Sequence, residues 1–302
     1  MSGALRALLA NSIDYAGLFP PAGLALQTAL RNQAAYSRDD DAWMLGTFVL
    51  PISKFEEASG LLNNFTPKHR LQVSALVAKS ENAATFMAAL EEGAEAIRQF
   101  NKRHSHTASV AQIELALPSQ PGVHLAEANA VLEDLNVPMF WEAAADEAER
   151  TIGFLADRAP GFGTVGFKLR TGGLIASAFP SSIQLARALV AAVTQKVPIK
   201  FTAGLHHPIR RFHQTVQTKM HGFVNVLGAG VLAAQHDWDV QQTARMLEDE
   251  DSTEFAFDND AFTWNTWSIA ADQIAVHRKV ITSLGSCSFD EPRADLRELE
   301  FY

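Results

Sequence analysis

Short apolar runs rich in β-branched and aromatic residues alternate along the chain with longer segments whose apolar positions recur at helical spacing. The runs at 12–19 (SIDYAGLF), 44–51, 71–78, 111–118, 137–144, 163–170, 197–204 and 222–229 (GFVNVLGA) read as eight strands. Between them, 24–37, 81–100, 124–135, 147–158 and 181–196 read as helices. In the last of these, Ile183, Ala186, Leu189 and Val190 form one apolar stripe, and Ser181 or Ser182 stands where an N-cap is expected. Strands taking turns with helices mean βαβ units and a parallel sheet. Eight of them in this rhythm predict an α/β fold, a (β/α)8 TIM barrel. The rival open sheet usually carries a glycine-rich phosphate turn after its first strand. Here that strand runs into LFPPAG instead.

After residue 230 the rhythm changes. Residues 239–251 read as a helix, FAFDNDAFTW (255–264) as a hairpin around an Asn-Asp turn, and 266–285 as a long closing helix. The prediction is therefore a barrel over 1–230 with a C-terminal helical and hairpin extension over 231–302, packed on it within one domain.

Alternation along each strand decides which side chains meet. In GTVGFKLR, Gly166, Lys168 and Arg170 share a face opposite Val165, Phe167 and Leu169. The outer face of a barrel packs on helices and takes apolar groups, so the charged face points inward. The same rule turns Lys200, Thr202 and Gly204 inward, and likewise Glu114, Glu142 and Asn225. The expected result is a barrel mouth lined by Glu114, Glu142, Lys168, Arg170, Lys200, Thr202 and Asn225, with His206 and His207 above it. Unpaired buried charges cost several kcal/mol each, and the C-terminal mouth is where barrel enzymes hold their chemistry.

Two of these strand ends resemble the deoxyribose-phosphate aldolase group of class I aldolases. That family has a strand ending in Lys-Thr-x-Thr-Gly, whose lysine forms a Schiff base, and a second lysine on the next strand before a glycine-containing turn. Lys168-Leu-Arg-Thr171-Gly172 stands in the first place and Lys200-Phe-Thr-Ala-Gly204 in the second. The opening Ile13-Asp14…Leu18-Phe-Pro20 is similar to the family's Ile-Asp-x-x-x-Leu element. The resemblance covers residues 12 to 230 in strand order and end motifs. Three features depart from it: Leu169 and Arg170 replace small hydroxyl residues, NVLGAG lacks the Gly-Thr-Ser phosphate loop, and His206-His207-Pro208 is foreign to the pattern. The strings LFPPA, FKLRTGG and TAGLHHP also resemble those of bacterial barrel proteins, an association that carries no function.

The resemblance implies an aldolase-like lyase acting through a Lys168 imine on a small carbonyl or keto-acid substrate, with no cofactor. Cationic neighbours, Arg170 and Lys200, are expected to free the Lys168 amine of its proton. Glu142 is the expected proton relay. Arg170, Thr171, Gly172, Thr202, Gly204, Asn225, Glu114 and His206 are candidate substrate contacts, and Asp14 a minor supporting one. A second reading is a metal-dependent hydrolase or isomerase, with a divalent ion held by His206, His207 and His221 together with carboxylates. A third is a barrel that binds a small anion without catalysis.

Composition narrows the partners. The 302-residue chain carries a net charge of −9, which argues against nucleic acid or an anionic membrane as partner. Its start has no lysine-rich, apolar leader and no long apolar window is evident, so no signal peptide or membrane span is expected. One cysteine excludes an internal disulfide and fits a reducing cytoplasm. Cys287 has no histidine beside it in sequence and reads as a small packed residue. His104 and His106 lie in a polar loop, and WNTW (264–267) reads as core or an oligomer contact. A homo-oligomer is expected, since barrels of this kind commonly pair.

Overall fold

The computed structural model describes residues 2–80, 82–118, 121–158 and 165–302. Residues 163 and 164 of the sixth strand run, and 81 at the head of the second helical segment, lie outside them. Eight parallel strands close into a barrel: β1 (Ile13–Tyr15), β2 (Leu45–Pro51), β3 (Leu71–Leu76), β4 (Ala108–Ala116), β5 (Met139–Ala143), β6 (Val165–Arg170), β7 (Ile199–Thr202) and β8 (Ile281–Ser286). Their order around the barrel is β1-β8-β7-β6-β5-β4-β3-β2. Helices follow the strands in alternation, as the TIM-barrel pattern requires.

Local chemistry sets the helix starts. Ser181 and Gln184 form a capping box on the helix Ser182–Gln195, Asn82 caps Ala83–Arg103, and Asp239 caps Val240–Glu248. Strand faces divide as alternation predicts. Phe167, Leu169, Ile199 and Phe201 are wholly buried under the helices, each contributing roughly 1.5–3 kcal/mol by leaving water. On the inner face Gly166 leaves room for the Phe140 ring, because a Cβ there would come within 2.7 Å of that ring and of the Pro198 carbonyl.

The eighth strand is not where the pattern located it. GFVNVLGA begins a helix, Phe223–His236, in which every residue from Phe223 to Ala233 is buried. An apolar run buried on all sides has lost the period that separates helix from strand. The expected closing helix over 266–285 divides into a strand (Trp267–Ala270), a short helix (Ala271–His277) and β8. β8 pairs with β1 through Ile13↔Leu284 and with β7 through Thr202↔Gly285. The barrel therefore does not end at residue 230: a chain cut there would leave both flanking strands with open edges. The hairpin Phe255–Phe257 with Ala261–Trp264 forms as expected and gains Trp267–Ala270 as a third strand. Trp264 and Trp267 pack on Trp238 at ring-centroid distances of 5.7 and 5.2 Å, within the chain itself.

One segment, Ala176–Gln195, is long and apolar enough to cross a bilayer by length and composition, contrary to expectation. In the barrel it divides into a short turn, Ala176–Ala178, and the helix Ser182–Gln195, whose Leu185, Ala186, Ala188, Leu189 and Ala192 are buried.

Candidate active site

Five strands each send one charged side chain to the barrel axis: Asp14 from β1, Glu114 from β4, Glu142 from β5, Lys168 from β6 and Lys200 from β7. Register makes neighbours of them, since Glu142 pairs with Lys168 and Lys168 with Lys200. The result is a ladder of alternating charge. Asp14 Oδ2 meets Lys200 Nζ at 2.9 Å, and Lys200 Nζ meets Glu114 Oε1 at 2.6 Å. Glu114 Oε2 meets Lys168 Nζ at 2.7 Å, and Lys168 Nζ meets Glu142 Oε2 at 2.8 Å. Glu142 Oε1 ends the series on Lys79 Nζ at 3.0 Å, at the solvent edge.

Other donors fill the remaining carboxylate positions. Asp14 Oδ1 accepts from the Thr47 N–H and hydroxyl, both at 2.7 Å, while Oδ2 accepts from Ser283 Oγ at 2.8 Å and Gln112 Nε2 at 3.1 Å. Ser74 Oγ donates to Glu114 Oε1 at 2.6 Å. Burial opposes the charge of Glu114, but Lys200 and Lys168 outweigh it and hold the carboxyl well below the usual range. Burial likewise opposes the Lys200 ammonium, yet Asp14 and Glu114 raise it above an ordinary lysine. Glu142 is pushed up by burial and drawn further down by Lys168 and Lys79. Carboxylates contact both buried amines. Of the expected cationic neighbours of Lys168, Lys200 is in register beside it and shares Glu114, while Arg170 is exposed at the strand end.

Above the ladder lies a cavity of about 200 Å³ at the C-terminal mouth, lined by Glu114, Lys168, Arg170, Thr202, His206 and Cys287 among others. A wider hollow of about 540 Å³ opens at the opposite end and touches Asp14. Both Asp14 oxygens are already occupied, so the mouth, where an amine is presented, is the end equipped for chemistry.

The other candidates separate into two groups. Thr202 and Gly204 line the mouth with Arg170. Thr171 is fully buried and donates to the Ala203 carbonyl at 2.6 Å, tying the ends of β6 and β7 together. Gly172 lies against Gly204, whose φ is +78°, so closely that a Cβ on either would come within 3 Å of the other's Cα. Asn225 is not at the mouth. It sits in the helix that replaced the expected strand, accepting from the Arg210 N–H at 2.9 Å and donating to the Met246 and Asp249 carbonyls at 2.8 and 2.9 Å.

The histidines expected to share a metal take separate partners. His206 Nδ1 meets Glu291 at 3.0 Å, His207 Nδ1 meets Asp295 at 2.5 Å, and His221 Nε2 meets the Pro180 carbonyl at 2.8 Å. Burial lowers His221 to about 4, with Arg210 adding to the effect. Among the described residues, no group of three or more His, Cys, Asp or Glu side chains is arranged to hold an ion. His206 is shifted in the opposite direction to His221. Burial works against its charged form, but the neighbouring Cys287 and the hydrogen-bonded Glu291 prevail and push it up to about 9. With Lys168 and Arg170, His206 is one of the basic side chains lining the mouth beside Glu114.

Sequence patterns left Lys79, Ser74 and Ser283 unmarked and gave Asp14 a minor place. Asp14 carried the same signal as Lys200, a single charge between apolar strand neighbours. Glu291 and Cys287 carried none, because their partner His206 lies some eighty residues away. No family model matches the chain, and no curated protein matches it.

Proposed function

We propose that this barrel is an imine-forming lyase of the aldolase type, acting on small anionic carbonyl compounds such as keto acids. One observation carries this reading: the Lys168 amine stands at the cavity floor between two carboxylates, one of which is shared with a second buried lysine. Lys168 passes a proton to Glu142, the carboxylate nearest solvent, and the neutral amine adds to the substrate carbonyl. Glu142 returns the proton as water leaves. The iminium that forms replaces the ammonium opposite Glu114, which Lys200 keeps ionised. The iminium then accepts the electron pair of the bond between its α and β carbons as that bond breaks. The β-hydroxyl loses its proton to Glu142, and the β carbon leaves with it as an aldehyde. The enamine takes that proton at carbon before water hydrolyses the iminium and frees Lys168. Arg170 and His206 suit a carboxylate on the substrate. The lysine supplies the electron sink, so this route needs no further cofactor. A single free cysteine agrees with a reducing compartment such as the cytoplasm.

Borohydride reduction in the presence of a panel of aldehydes and keto acids, followed by peptide mass spectrometry, tests the proposal. An adduct on Lys168 is expected. Binding of the same keto acids with no adduct would instead support a non-catalytic anion-binding barrel.

A further inference from the structure

Cys287 is the chain's single cysteine and follows directly on β8, whose Gly285 is in register with Thr202 of β7. His206 lies four residues beyond that same Thr202. The two strand ends are neighbours, so Cys287 and His206 both line the mouth cavity, and the sulfur acts electrostatically on the imidazole. His206 Nδ1 is engaged by Glu291 Oε2 at 3.0 Å. Glu291 is held in the first turn of the helix Asp290–Glu298, where its N–H donates to Ser288 Oγ at 3.1 Å.

We propose that Cys287, His206 and Glu291 form a thiol–imidazole–carboxylate relay, in which Cys287 is a second carbonyl-directed nucleophile that captures small anionic aldehydes as hemithioacetals. The relay stands on its own geometry and does not depend on an imine at Lys168. Tyr15 from β1 and Cys287 interact electrostatically, as do His207 and His213 with Glu291, and Arg170, Lys168 and Glu114 line the same cavity. Among these, Glu291 is the carboxylate that engages His206.

The step balances without an oxidant or a leaving group. A sulfur–carbon bond forms as the carbonyl π pair moves to oxygen, and the proton shared by sulfur and ring passes through His206 to that oxygen. Reversal releases the aldehyde. Glu291 keeps the ring oriented and its charge compensated throughout. Arg170 supplies the cation that selects an anionic aldehyde over a neutral one.

Alkylation by iodoacetamide at pH 7, read by intact mass, reports on one site because the chain has one cysteine. The native protein is expected to react about five- to tenfold faster than the same thiol in the urea-unfolded chain. His206→Gln should bring the native rate down to the unfolded one, and Glu291→Gln should do so in part. Excess glyoxylate should slow native alkylation in Lys168→Met and in Lys168→Arg, neither of which can form an imine. A native rate no faster than the unfolded one, or one indifferent to His206→Gln, overturns the relay. Glyoxylate protection that disappears in both Lys168 variants overturns capture by sulfur and assigns the aldehyde to the lysine alone.

Discussion

Lys168 and Lys200, in register on β6 and β7, hold the two oxygens of a single carboxylate, Glu114, at 2.7 and 2.6 Å. The barrel interior is thereby organised around an acid whose removal takes one of two carboxylate partners from each lysine.

Glu114→Gln is expected to be the most damaging ladder substitution. Breaking a buried ion pair by removing one partner costs about 3–5 kcal/mol, and here both lysines lose a ligand. Glu142→Gln should cost less, about 1–2 kcal/mol, because Glu142 borders solvent and its second partner Lys79 is exposed. Urea unfolding of the two variants checks the order. Equal losses would mean that the ladder does not act as a chain with a centre.

Lys168→Met should abolish reductive trapping, lowering adduct formation by about a thousandfold or more. Lys200→Met leaves the nucleophile in place but removes the cation that keeps Glu114 ionised, so trapping should fall by about 10- to 100-fold. Initial rates of borohydride-dependent labelling separate these outcomes. Full labelling of Lys168→Met on another lysine would remove Lys168 from the role.

Arg170→Ala should weaken binding of anionic keto acids by about tenfold, as for loss of a charge-assisted contact. Its side chain is exposed, so stability should move by no more than about 0.5 kcal/mol. Titration calorimetry on the folded variant, with the neutral ester of the same acid as control, reads the effect. An ester affinity that falls equally would show that charge is not what Arg170 recognises.

His206 is pushed up to about 9 in the folded protein from an ordinary 6.5. A raised base stabilises the fold fully below its unfolded value and loses that contribution as pH rises through the folded one. Stability should therefore decline between about pH 6.5 and pH 9, by on the order of 2–3 kcal/mol. Anionic ligands should also bind more weakly over that interval. Denaturant unfolding of the wild type and His206→Gln across pH 6 to 10 is the check: the variant should lack this slope, and identical slopes would exclude His206 as its source.

Asn225→Ala should destabilise by about 2–3 kcal/mol, since it orphans the Arg210 N–H and removes two donors from the Met246 and Asp249 carbonyls. Whatever fraction stays folded should trap carbonyl compounds like the wild type. A selective loss of trapping without loss of stability would return Asn225 to the mouth.

Seven of the eight barrel strands were legible in the sequence, because a half-buried strand must alternate and FKL, IKF and IEL each set one charge between apolar neighbours. The same alternation identified Lys168, Lys200, Glu114 and Glu142 as inward groups. GFVNVLGA misled because a segment buried on every side keeps no period, and β8 lay hidden in a stretch whose short helix and strand together resembled one longer helix. Sequence order could not show which amine meets which acid, since pairing depends on the register of nonadjacent strands. Nor could it bring Cys287 to His206: only barrel closure makes neighbours of β7 and β8. Periodicity thus determined which faces turn inward, while the circular order of the strands, a property of the closed sheet, decided which inward groups touch.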